Sequence, residues 1–161
     1  MFTKIKSIYH IIKKEDKNMN DNLRQTLQEI VNMSDEDKVN LGKDALSRFV
    51  KGLMEGGIEE KDISDYIIAL TKLFVSSDRN CTAEEYSFFR AVTGLELSSE
   101  DFYNMTNGGA DPDFIKASFK FLSILTPEDR TAAIVYGSAL ISCDDSVNIQ
   151  EFALIDTILS L

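Results

Sequence analysis

The chain has 161 residues, 43% of them apolar and 27% charged, which suits one soluble globular domain with a substantial core rather than a disordered chain. Seventeen basic residues against 27 acidic ones give a formal charge of −10, a balance that repels nucleic acid phosphates and favours cationic partners or metal ions. Two cysteines, Cys81 and Cys143, agree with a reducing compartment and free thiols rather than a disulfide framework.

Residues 1–18 are physically distinct from the rest of the chain. They carry Lys4, Lys6, Lys13, Lys14 and Lys17 against Glu15 and Asp16, while Phe2, Ile5, Tyr9 and Ile12 keep the three-and-four spacing of one helix face, with Ile8 beside them. This predicts a short basic amphipathic helix, a loosely held or weakly docked extension of a domain spanning 19–161. Its alternative role is weak peripheral contact with an anionic membrane surface. The segment lacks the apolar run and cleavage site of a secretory signal, and no later stretch approaches the ~20 apolar residues that cross a bilayer. A cytoplasmic protein is the expectation. His10, the single histidine, reads as a surface or packing residue, not a general base.

Leu23, Leu27, Ile30 and Val31 predict a helix beginning near Asp21. Ser34 with Asp37 marks a new start, and Val39, Leu41, Leu46, Phe49, Val50 and Leu53 carry a longer helix to a stop at Gly56-Gly57. Ile63, Ile67, Leu70 and Phe74 stripe the next. Ser98 to Asp101 open a short helix around Phe102, Tyr103 and Met105, stopped by Asn107-Gly108-Gly109. Asp111-Pro112 has the cap-then-proline form of a helix start, with Phe114, Ala117, Phe121 and Leu125 as the expected buried stripe. Thr126-Pro127-Glu128-Asp129 begins another helix, carrying Ile134, Tyr136 and Leu140. With no sustained period-two alternation, the fold class is all-α: a single-domain bundle of about eight or nine helices.

Two stretches organise the chain. Residues 73–95 read as written again at 139–161, with Ser76/Ser142, Asp78/Asp144, Glu85/Glu151 and Leu95/Leu161 identical and Val75/Ile141, Tyr86/Phe152, Phe89/Ile155 and Val92/Ile158 alike in apolar character. Each copy has an apolar helix end, an Asp, a capping residue, a Glu three residues later, and apolar positions at helical spacing. An internal helix-loop-helix duplication is the reading.

The acids have two explanations. Thr82-x-x-Glu85 and Asn148-x-x-Glu151 are capping-box patterns, worth ~1 kcal/mol per helix, and Asp78 and Asp144 suit Asx turns. Alternatively, Asp78, Glu85, Asp144, Asp145 and Glu151 supply hard oxygens for a divalent cation such as Ca²⁺, Mg²⁺ or Zn²⁺. The pattern is not an EF-hand: counting from either Asp puts Ala83 or Ile149 where Gly belongs, and Phe89 or Ile155 where the bidentate Glu belongs.

The two motifs, Val75-Ser-Ser-Asp78 to Glu85-Tyr86 and Ile141-Ser-Cys-Asp144 to Glu151-Phe152, resemble those of the TerB-like (tellurite resistance protein B) family. In helix order the resemblance spans about residues 35–161. It implies an all-helical, internally duplicated, cytosolic bacterial protein linked to tellurite or other stress responses, with acidic positions suspected of metal binding and no implied reaction. Arg79 and Asp145 stand where that pattern usually has Gly after the Asp. Losing easy access to positive φ is expected to turn the loops differently, and Arg79 is placed to pair with Asp78 or Glu85.

No phosphate-cradling loop, Cys/His cluster or nucleophile elbow is present, so the chain reads as non-enzymatic. Two function classes remain. One is a TerB-like stress-response protein with a divalent-cation site; the other is an acidic interaction module of immunity or adaptor type that binds a basic protein partner by charge steering.

Overall fold

The computed structural model of the protein describes residues 8–10, 12, 19–107 and 109–161. Among them every element is helical and none is a strand. In chain order the α-helices are α1 (Met19–Val31), α2 (Asp35–Glu55), α3 (Ile63–Val75), α4 (Ala83–Thr93), α5 (Ser99–Thr106), α6 (Pro112–Ile124), α7 (Pro127–Ile141) and α8 (Ile149–Leu159), with single 3₁₀ turns at Glu60–Asp62 and Ser142–Asp144. Residues 8–10 and 12 are also helical.

The helix boundaries follow from side chains that satisfy free backbone N–H groups. Ser34, Thr82, Ser98, Asp111, Thr126 and Asn148 each accept a backbone hydrogen bond from the first turn of the helix they precede. Pro112 and Pro127 occupy first positions, where no intrahelical donor is lost. Gly94 closes α4 in the left-handed region at φ 66°, a conformation glycine adopts without penalty.

α7 is the centre of the molecule. From Thr131 to Ile141 every residue is buried, all round the helix. The sequence accounts for this: Ala132-Ala133-Ile134-Val135-Tyr136-Gly137 has no polar face to offer solvent, so the helix is stable only when enclosed. Its enclosure comes chiefly from α2 and α3, with α1, α4 and α8 also packed against it. Ile134, Tyr136 and Leu140 are therefore buried together with their neighbours, not as one stripe.

The approach of α3 is close. Gly137 has no side chain, and a Cβ there would overlap the Phe74 ring. One turn away, Thr71 Oγ1 and Tyr136 Oη are 2.8 Å apart and buried, so the Tyr136 hydroxyl of α7 finds its partner on α3.

α6 differs from expectation. Ala117 is exposed, Phe114, Phe121 and Leu125 are only half-buried, and within the helix Leu122 alone is buried. This helix lies on the outside of the bundle, against α3 and α8, so its apolar residues cover an edge instead of filling a core.

Of residues 1–18, only 8–10 and 12 are described. Ile8 and Ile12 are buried in the core cluster, and Arg48 on α2 lies 4.7 Å from the Tyr9 ring centroid. Phe2, Ile5 and the lysines of the expected basic helix lie outside the described residues. His10 is exposed.

Two stability measurements check this packing. Gly137→Ala should cost ~1–3 kcal/mol by overpacking against Phe74, and adding Phe74→Leu should recover part of the loss in chemical denaturation. Deleting residues 1–18 should lower Tm markedly, since burial of Ile8 and Ile12 contributes roughly 3–5 kcal/mol; an unchanged Tm would support the loose-extension reading.

Candidate functional site

The turns after α3 and α7 are built from the same short-range bonds. Asp78 Oδ1 accepts from the Asn80 N–H at 2.9 Å, and Asp144 Oδ1 accepts from the Ser146 N–H at 3.1 Å and from Ser146 Oγ at 2.9 Å. Both are Asx turns. The next residue is left-handed in each, Arg79 at φ 64° and Asp145 at φ 62°. The absence of glycine therefore does not keep either residue out of the left-handed region. A non-glycine residue costs about 1–2 kcal/mol in this region, and the Asx bond on one side and the helix cap on the other hold it there.

Each Glu completes a cap. Thr82 N–H donates to Glu85 Oε2 at 2.8 Å while Glu85 N–H donates to Thr82 Oγ1 at 3.1 Å. In the second turn Asn148 N–H donates to Glu151 Oε2 at 2.7 Å, and Glu151 N–H to Asn148 Oδ1 at 3.0 Å. Two reciprocal capping boxes result.

Packing of α3 and α7 on each other then brings the turns into contact. Asn148 Nδ2 donates to Asp78 Oδ2 at 2.8 Å, a bond between residues of different turns. Glu85 and Glu151 are only 3% and 4% exposed. Burial pushes the Glu85 carboxyl up to about 7, and the charges of Asp78 and Asp144 add to the rise. Burial likewise pushes Glu151 up to about 8, with Asp78, Asp144 and Glu85 contributing. Asp78, Glu85, Asp144 and Glu151 thus act on one another as a single charge cluster, in which the two glutamates hold protons near neutral pH.

Asp145 faces elsewhere. Its Oδ1 lies 2.7 Å from Lys38 Nζ, and the Lys38 side chain is 1% exposed while that of Asp145 is 80% exposed. The second turn therefore anchors to α2 through a buried ammonium, and Asp145 serves that anchor, not the cluster. Arg79, expected to pair with Asp78 or Glu85, forms no ion pair or hydrogen bond among the described residues; its stem lies along Gly109.

The donor chemistry of the cluster, carboxylate oxygen, suits a hard divalent cation. Its arrangement is set by other bonds: both oxygens of Asp78 and one oxygen of each Glu already accept hydrogen bonds. Among the described residues no group of three or more His, Cys, Asp and Glu side chains is placed to hold a metal ion. Cys81 and Cys143 are free and half-buried, and burial pushes their thiols up to about 11 and about 12, which leaves little nucleophilic thiolate.

Lys38 and the Asn148 amide were not legible as site residues. Lys38 follows three acids in the first turn of α2 and carries no spacing signal, and Asn148 reads only as a cap. The chain matches no family model, no curated protein and no solved structure.

Because the folded carboxyls titrate at about 7 and 8 against an ordinary value of 4.5, the unfolded chain releases these protons first as pH rises. Stability should therefore fall between about pH 4.5 and pH 8 in the absence of metal. The double variant Glu85→Gln, Glu151→Gln keeps an oxygen for each cap and removes the charge. It should flatten that decline and raise Tm at pH 8 by about 3 °C or more. Asp145→Asn should instead destabilise by ~1–3 kcal/mol at pH 7, since it leaves the Lys38 ammonium buried without a counter-charge.

Proposed function

We propose that this chain is a TerB-like, internally duplicated, non-enzymatic protein of the bacterial stress-response type, whose two acidic turns work as one cation-responsive centre. The observation that carries this reading is the junction of the turns: the Asn148–Asp78 bond at 2.8 Å joins them around two buried glutamates whose carboxyls are pushed up to about 7 and about 8. Such a cluster lacks compensating positive charge, and a divalent cation would supply what protons supply in its absence. Asp78, Glu85, Asp144 and Glu151 are the residues that would hold it, and their carboxylates would have to draw together to do so, since no three of them are placed around an ion in this arrangement; Asp145 is outside the set because it is committed to Lys38.

Three features support common descent of the two halves. The Asx turns, the left-handed residues Arg79 and Asp145, and the two capping boxes recur at one constant sequence offset. Bulk composition alone would not place all three in register.

Ca²⁺, Mg²⁺ and Zn²⁺ titrations followed by thermal unfolding test the proposal. At least one ion should raise Tm at pH 8, by less at pH 6 where protons compete, and Asp144→Asn with Glu151→Gln should abolish the rise. Absence of a shift with all three ions overturns the cation reading in favour of the acidic interaction module, whose signature is partner binding that weakens steeply with salt.

A further inference from the structure

A cleft lies beside the first turn, and none of the four clustered acids lines it. It has a volume of about 290 Å³ and is walled by the end of α3, residues 109–110, α6 and one side of α8. Among the described residues Arg79 is the only charged one lining it, in a chain whose formal charge is −10. Ser76, Ser77, Gln150 and Thr157 are its other polar lining residues, and Phe119 and Leu154 are among its apolar ones.

Two observations single out this open cleft. The Oγ atoms of Ser76 and Ser77 are buried with no hydrogen-bond partner among the described residues, and Ser76 is only 5% exposed. A native fold leaves few such groups without a reason. The second is the contrast between the two left-handed residues. Asp145 has the buried Lys38 ammonium as its partner; Arg79, at the matching position, is exposed and has none among the described residues. Its side chain instead packs over Gly109, where a Cβ would sit 3.1 Å from Arg79 Cγ and 3.3 Å from Nε. Gly109 is itself left-handed at φ 82°, so both its conformation and its bareness suit the close approach of the arginine stem.

We propose that this cleft binds a small amphiphilic oxyanion, a carboxylate or phosphate joined to a short apolar body. The head meets the Arg79 guanidinium, whose planar fork suits two oxygens, over the backbone turn of Ser76 and Ser77, whose hydroxyls stay buried beneath it. The body lies against Phe119 and Leu154. The volume limits the ligand to a few carbons beyond the head, at the small end of known ligand sites. The site is separate from the acid cluster, and its ligand has the opposite charge.

Hexanoate, inorganic phosphate and hexanol serve as probes of head with body, head alone and body alone. At low ionic strength hexanoate should raise Tm more than either of the others, with the shift shrinking as salt is added. Arg79→Gly should abolish the hexanoate shift while leaving the Tm of the free protein equal or higher, since glycine relieves the left-handed strain; Arg79→Lys should keep a reduced shift. Asp144→Asn with Glu151→Gln, which tests the cation centre, should leave the hexanoate response intact. A hexanoate shift that persists in Arg79→Gly, one matched by hexanol, or none at all overturns the proposal.

Discussion

The enclosure of α7 is the constraint on which the rest of the structure depends. A helix apolar on every side from Thr131 to Ile141 has no orientation in which it tolerates water, so the other helices must surround it. Close packing then places them. α3 can lie against α7 only because Gly137 leaves room for the Phe74 ring, and the Thr71–Tyr136 hydroxyl pair satisfies the polar atoms that this approach buries. A small residue and a matched pair of hydroxyls thus determine how near the two helices come.

The distance between those helices determines what their ends do. The turns after α3 and α7 emerge next to each other, and the Asn148 amide spans them. Glu85 and Glu151 are carried into the interior by their capping bonds, because each cap points the carboxyl back toward its own turn and hence toward the other. Burial there costs the ionised form more than the cap returns, and the shared field of Asp78 and Asp144 adds to the cost. Local structure and charge chemistry are consequently one arrangement: the same carboxyl that caps the start of a helix is the one whose ionisation burial opposes.

The two turns are alike in backbone and divergent in side-chain use. At the left-handed position one has an acid that binds a buried lysine on α2, and the other has an arginine lying along Gly109 beside an open cleft. The Asx bond and the helix cap hold both residues in place, and on one side an ion pair to a buried lysine adds to them. On the other the arginine is exposed, with no ion pair among the described residues.

The helices and their ends are written locally in the chain. Ser34, Thr82, Asn148, Asp111-Pro112 and Thr126-Pro127 act through bonds reaching three residues or fewer, so their effect is legible without knowing the fold. The paired Asp and Glu pattern was legible for the same reason. Packing, by contrast, settled that the two turns meet, that Lys38 is buried beneath Asp145, that Arg79 turns away from the acids, that Ala117 faces solvent and that Ile8 and Ile12 join the core. Each of these depends on contacts between residues far apart in the chain. Apolar periodicity shows that a face is buried, and it carries no record of which helix covers it.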